Sequence, residues 1–132
     1  RLYINELMYK KGMTNRDIAD FLKNIGKADV LAYCDSAEPK SIVELRQMGV
    51  LAKGAVKGAG SISAGISLLK EHEIIVSNES TNLKQEQHTY FWQKLKDETI
   101  INKPIDANNH LMDALRYAVY SKYKNRTEFF VV

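Results

Sequence analysis

The chain holds a single cysteine, Cys34. An internal disulfide is therefore excluded, and the composition fits a reducing compartment. No apolar stretch approaches the ~20 residues needed to span a bilayer, and no signal-peptide pattern is read in these residues. The chain opens on Arg1-Leu2-Tyr3-Ile4 without an initiator methionine and reads as an excised piece of something longer. Charge of one sign is massed nowhere: the net charge is +3 and the lysines are scattered. That permits nucleic-acid binding without requiring it. Internal repeats, low-complexity segments and interdomain linkers are all absent. What remains is an ordinary globular composition, with 45% hydrophobic residues in 132, enough for one domain or most of one.

The apolar pattern alternates between strand and helix signals. Residues 1–9 alternate as a strand, with Leu2, Ile4 and Leu7 on the inner side. Lys10-Lys11-Gly12 turns the chain. Thr14 offers an N-cap with Asp17 three residues on. Ile18, Ala19, Phe21, Leu22 and Ile25 then form a helical stripe that Gly26 ends. Residues 29–34 read as a short apolar strand buried on both faces. Pro39 starts a helix over Ser41 to Met48, stopped by Gly49. Val50 to Val56 reads as a strand, 57–60 as a loop, and Ser61 as the cap of a helix reaching Glu71. Glu73 to Ser77 is a further strand. Residues 81–95 begin as a helix and pass into an aromatic strand at Tyr90-Phe91-Trp92. Residues 96–106 read as a polar loop or the far arm of a hairpin. Asn108 to Lys124 is the final helix, and Thr127 to Val132 a short apolar tail, strand or frayed. The alternation implies an α/β fold with a largely parallel sheet.

In open α/β sheets ligands gather at the carboxyl ends of the strands. Asp35 ends the 29–34 strand at such a place; as a bland alternative it caps the turn into the next helix. Glu38 suits the positive end of that helix. In the last helix, ~100° per residue puts His110, Asp113, Ala114 and Tyr117 on one side and Leu111, Leu115, Ala118 and Val119 on the other, as the core stripe. Imidazole and carboxylate one turn apart suit Mg²⁺, Mn²⁺ or Zn²⁺; a solvated helix face is the bland alternative. Two divalent ions would position an attacking water and stabilise both oxygens of an in-line displacement at a phosphodiester. Asp35 and Asp113 offer few ligands for two metals, so one more acid is expected. Residues 53–62 look like a phosphate cradle, with Lys53 and Lys57 placed to contact DNA backbone and a helix starting at Ser61, although GxxxxGK[ST] is absent. Arg116 is placed to pair with a carboxylate or a DNA phosphate. Tyr90 and Trp92 suit base stacking or core packing, and Cys34 suits the core. A non-catalytic DNA-binding module is a different reading, because residues 13–22 look like the entry helix of a helix-turn-helix. No basic recognition helix follows at 28–36.

Three blocks then point one way: Tyr33-Cys34-Asp35-Ser36-Ala37-Glu38-Pro39-Lys40-Ser41-Ile42, the KGAGSI run at 57–62, and Asn109-His110-Leu111-Met112-Asp113-Ala114-Leu115-Arg116-Tyr117-Ala118. They resemble, in order and over nearly the whole chain, the nuclease domain of tailed-phage terminase large subunits. The resemblance implies a ribonuclease H-like mixed sheet flanked by helices. It implies a metal-dependent endonuclease that cuts concatemeric double-stranded viral DNA during packaging, in the cytoplasm of a bacterial host, with two Mg or Mn ions. Asp35 then matches the second acid, Asp113 the last acid, and His110 an accessory ligand. Partners implied for the parent are the small subunit, the portal protein and its own ATPase domain, whose P-loop is not here. The family's first acid lies on an earlier strand than any in this chain. The 132 residues are thus expected to be one N-terminally incomplete domain that cuts poorly alone; robust cutting would mean either that Glu38 or Asp106 stands in for the third acid or that two acids and His110 suffice. Resolvases and transposases share the acids and differ in substrate.

Overall fold

A computed structural model describes residues 1–96 and 109–131, with side chains described through residue 90 and over 109–125. The elements run β1 (Leu2–Ile4), α1 (Asn15–Asn24), β2 (Ala32–Cys34), α2 (Pro39–Gln47), β3 (Ala52–Gly54), α3 (Ser61–Lys70), β4 (Ile74–Val76), α4 (Thr81–Lys96) and α5 (His110–Val131). This is the expected α/β alternation. β1 pairs in parallel with β4, Ile4 opposite Val76, and β2 pairs in parallel with β3, Cys34 opposite Gly54. A helix returns the chain between parallel strands, as such pairing demands. The expected single mixed sheet is not what the described residues form: they give two separate two-stranded sheets, both parallel.

Local chemistry sets the boundaries. Thr14 and Asp17 close a full capping box, Thr14 N–H donating to Asp17 Oδ2 at 3.0 Å and Asp17 N–H to Thr14 Oγ1 at 3.1 Å. Two amide donors left over at every helix start are thereby satisfied. Gly26, with φ of 71°, reverses the chain after α1, a conformation costly to any residue with a Cβ. Pro39 sits in the first turn of α2, where its missing N–H costs nothing.

Several elements differ from the sequence pattern. The strand expected over 29–34 shrinks to Ala32–Cys34, because Val30 N–H bonds back to Lys27 O in a turn. It is half-buried rather than sealed on both faces, and Val30 and Leu31 are exposed. In the first segment Leu7 points to solvent and Glu6 takes the inner side with Leu2 and Ile4. α3 is preceded by Gly60 in the left-handed region at φ of 77°, so Ser61 is the first helical residue and not the cap. Tyr90 belongs to α4, which runs through the proposed aromatic strand. α5 continues to Val131, through most of the expected tail. The hairpin arm at 97–106, with Asp106, lies outside the described residues.

The core has two parts. The first gathers Ala19, Ile42, Leu45, Val50 and Ala52 between α1, α2 and the β2–β3 pair. Cys34 packs against it, and burial pushes its thiol pKa up, as for an unreactive core cysteine. The second gathers Ile66, Leu69, Leu83, Tyr90 and Met112 from α3, α4 and α5 beside the β1–β4 pair. Leu69 and Met112 are fully buried; each such side chain contributes roughly 1.5–3 kcal/mol over its exposed state. On α5 the buried positions are Met112, Arg116 and Ser121, whereas Leu111, Leu115 and Val119 are only half-buried. The expected leucine stripe is thus the flank of the buried face and not its centre.

Candidate active site

Because β2 and β3 run parallel, their carboxyl ends lie on one edge, which brings Asp35 and the loop after β3 together. Lys57 Nζ donates to Asp35 Oδ1 at 2.5 Å. Asp35 also accepts from Ala37 N–H at 3.0 Å. The Lys57 bond, then the Ala37 amide, hold the Asp35 pKa below the usual carboxylate value, and the charge of Arg116 acts in the same direction. The Lys57 pKa is raised in return, chiefly by its bond to Asp35. Both groups are nearly half exposed, so the pair is a weak contributor to stability. As an arrangement of charge, however, it keeps Asp35 ionised.

α5 supplies the other half. Val56 N–H donates to Ser121 Oγ at 2.8 Å, and Asn125 Nδ2 donates to Tyr33 Oη at 3.0 Å. These two bonds fasten α5 to the segment just after β3 and to the middle of β2. One turn up the helix, Arg116 Nη2 donates to Asp113 Oδ1 at 3.3 Å. The Tyr117 ring lies 5.2 Å from Lys57 Nζ and 5.0 Å from the Arg116 guanidinium carbon, within range for attraction to the ring's electron-rich face. Asp35, Lys57, Tyr117, Arg116 and Asp113 thus form one continuous run of acid, cation, aromatic, cation and acid.

Arg116 is only 6% exposed. It is buried under α3, where Gly65 leaves room for its stem. Of the two partners read for Arg116, a carboxylate or a DNA phosphate, the structure shows it on a carboxylate, that of Asp113. Lys57 is turned onto Asp35, and Lys53 is exposed in the middle of β3, opposite Tyr33. Glu38 is exposed at the start of α2 without a side-chain cap bond. His110 is the exposed first residue of α5, three before Asp113, and lines a cleft of about 470 Å³ with Met8 to Met13, Ile18 and Leu111. Tyr90 is buried, and burial above all raises its phenol pKa, with Arg116 opposing and Asp113 reinforcing. It belongs to the packing behind Asp113 rather than to a stacking surface. The donor chemistry of Asp35, His110 and Asp113 fits a divalent cation. Among the described residues no three His, Cys, Asp or Glu side chains are gathered as a complete ligand set.

An α/β domain with acids at a strand end and on a covering helix has the layout of a ribonuclease H-like nuclease. The family model described as the terminase RNAseH like domain matches residues 1–121, and the chain belongs to that family. It is similar to the PBSX phage terminase large subunit of Bacillus subtilis (strain 168), 32% identical over 119 residues that make up 89% of this chain and 28% of the relative. It is also similar to the large subunit of terminase from Bacillus phage SPP1, 33% identical over 123 residues, 89% of this chain and 29% of that protein. The chain thus spans less than a third of either relative. No solved structure matches it significantly. No helix among the described residues is long and apolar enough to cross a membrane.

Proposed function

We propose that the chain is part of the nuclease domain of a phage or prophage terminase large subunit, cutting concatemeric double-stranded DNA in the bacterial cytoplasm. The supporting observation is the run from Asp35 through Lys57, Tyr117 and Arg116 to Asp113. It sets two acids on one side of the fold, each beside a cation, and the Lys57 bond favours the charged form of Asp35 that a metal ligand requires. Asp35, Asp113 and His110 would hold divalent ions, Mg or Mn; when bound, these would neutralise phosphate charge and activate a water. The chain's own residues do the rest. Arg116 fixes the carboxylate of Asp113, and Tyr117 holds Lys57 near Asp35. Lys57 and Lys53 add positive charge for the phosphate backbone. Small subunit, portal protein and a motor domain in the same parent are the partners of this reading.

In the full-length chain, Asp35→Asn or Asp113→Asn should lower plasmid cleavage in Mg²⁺ or Mn²⁺ to the level seen with EDTA, with an unchanged circular dichroism spectrum. Undiminished cutting by either variant removes that residue from the site. Lys57→Ala and Lys53→Ala should each weaken DNA binding and flatten its dependence on salt; identical salt slopes for wild type and variants would reject the phosphate role. A resolvase- or transposase-type nuclease would share the acids and be told apart by a preference for branched or end-joined DNA. The helix-turn-helix reading loses support, since residues 28–36 form a turn and β2 in place of a recognition helix.

A further inference from the structure

Glu86 is a carboxylate on the apolar side of α4, in line with Leu83 and Tyr90, and it is 3% exposed. Its Oε1 accepts from Leu111 N–H at 2.8 Å and from Met112 N–H at 3.1 Å. Its Oε2 is buried with no hydrogen-bond partner. A charge sealed in a core is expensive unless something specific offsets it. Here the offset is the positive end of α5 and two of its unpaired amides. Those amides belong to the two residues between His110 and Asp113. The same device occurs one element earlier. Glu6, past the end of β1, accepts from Leu83 N–H at 2.9 Å and from Asn82 Nδ2 at 2.8 Å. Glu6 N–H also donates to Ser80 Oγ at 2.7 Å, and Ser80 is fully buried. A strand end therefore holds the start of α4, and α4 in turn holds the start of α5.

We infer that Glu86 is a positioning residue for the nuclease site: by holding the Leu111 and Met112 amides it sets the height and rotation of the α5 turn that carries His110 and Asp113, with Glu6 steadying α4 behind it. This rests on the reading above that His110 and Asp113 are metal ligands. Helix rotation matters because a helix turned by one residue moves a side chain ~100° around the axis, which would carry Asp113 away from the Asp35 edge. Local caps do not substitute: Asp113 N–H bonds to Asn109 O within the helix start itself, which closes the turn without fixing where the turn sits.

The test uses the full-length chain with two readouts, amide hydrogen exchange at Leu111, Met112 and Asp113, and Mn²⁺ affinity by calorimetry. Glu86→Ala should accelerate exchange at those amides and weaken Mn²⁺ binding about 10-fold, the low end for losing a group that orients a metal ligand. Glu86→Gln keeps an acceptor oxygen and should retain most of both. Ile42→Val, in the other core cluster, should lower stability without changing Mn²⁺ affinity. Should Glu86→Ala fail to fold, Glu86→Asp, whose carboxylate stops one methylene short, carries the same readouts. Wild-type exchange and wild-type Mn²⁺ affinity in the Glu86→Ala or Glu86→Asp chain would overturn the inference. So would an equal Mn²⁺ loss in Ile42→Val, which would reduce the effect to general destabilisation. If the wild-type chain binds no Mn²⁺, the metal reading falls on its own. The positioning of α5 is then decided by exchange: acceleration confined to α5 supports it, and none overturns it.

Discussion

The two core clusters are built by different means. Around β2 and β3, the helices carry their own punctuation: Thr14 with Asp17 starts α1, Gly26 ends it, and Pro39 starts α2. Around β1 and β4, the helix starts are held by side chains from elsewhere, α4 by Glu6 and α5 by Glu86, across sequence separations of 77 and 25 residues. The first part is assembled from local agreements, the second from distant ones. The candidate site draws on both, Asp35 and Lys57 from the first and Asp113, Arg116 and Tyr117 from the second. Its integrity therefore depends most on the part whose contacts span the greater distance.

The largest test of that contrast is Gly65→Ala. A Cβ at Gly65 would lie 2.7 Å from Arg116 Cγ and 3.1 Å from Cδ. An exposed helical glycine changed to alanine gains up to about 1 kcal/mol, but forcing atoms into a packed core typically costs about 1–3 kcal/mol. Arg116 is buried and its stem has little room to retreat, so the clash wins. Urea unfolding should show a net loss of roughly 1–2 kcal/mol, and the Asp113 carboxyl resonance should shift as Arg116 moves. Equal or greater stability would show that α3 and α5 slide freely.

Thr14→Ala probes the local side of the contrast. Loss of an N-cap threonine costs about 1 kcal/mol, and urea unfolding measures it. Asp17 also reports on the cap, since the Thr14 backbone bond and then its hydroxyl hold the Asp17 pKa below the usual value. A depressed carboxyl contributes stability above its ordinary pKa and loses it as pH falls through the lowered one. The Asp17 titration should therefore move upward in Thr14→Ala, with the α5 resonances unchanged. Perturbed signals at His110 or Asp113 would mean that the two clusters are coupled more tightly than their separate packing implies.

The smallest effect is expected at the exposed pair. In metal-free buffer Lys57→Met should raise the Asp35 titration toward the ordinary carboxylate value, read by carbon NMR of the carboxyl group. The sign follows from the pair: Asp35 is depressed, so its share of stability is lost as pH falls through its lowered pKa. Lys57 is raised, so its share is lost only as pH rises through its elevated pKa. Between the two the pair is intact, and added salt should weaken it. An unmoved Asp35 titration would mean that the Ala37 amide alone holds the carboxylate.

The same contrast explains what the sequence reveals. The α/β order, the cap at Thr14, the stops at Gly26 and Gly49, and the strand-end place of Asp35 all follow from neighbours within a few residues. The buried stripe of α5 does not, because periodicity assigns leucines to the core and charge to water. Arg116 reverses that only through Asp113, Tyr117 and the space at Gly65, none of which periodicity weighs. Tyr90 reads as a strand residue in a run of aromatics, yet Leu83, Glu86 and Tyr90 share one helical face. A carboxylate on such a face is a signal that something distant receives it. From sequence alone Lys57 is expected near phosphate; only the parallel register of β2 and β3 shows it meeting Asp35.

The bond from Val56 to Ser121 joins positions 65 residues apart. Closing so long a loop costs chain entropy before any contact rewards it. During synthesis the residues of the first hydrophobic cluster are all made before α5. Asp35 is then already at its strand end, facing no second acid. The two carboxylates come onto one side of the fold only once the helix bearing Asp113 has emerged and docked, so a nascent chain holding just the first half carries only half of the candidate site.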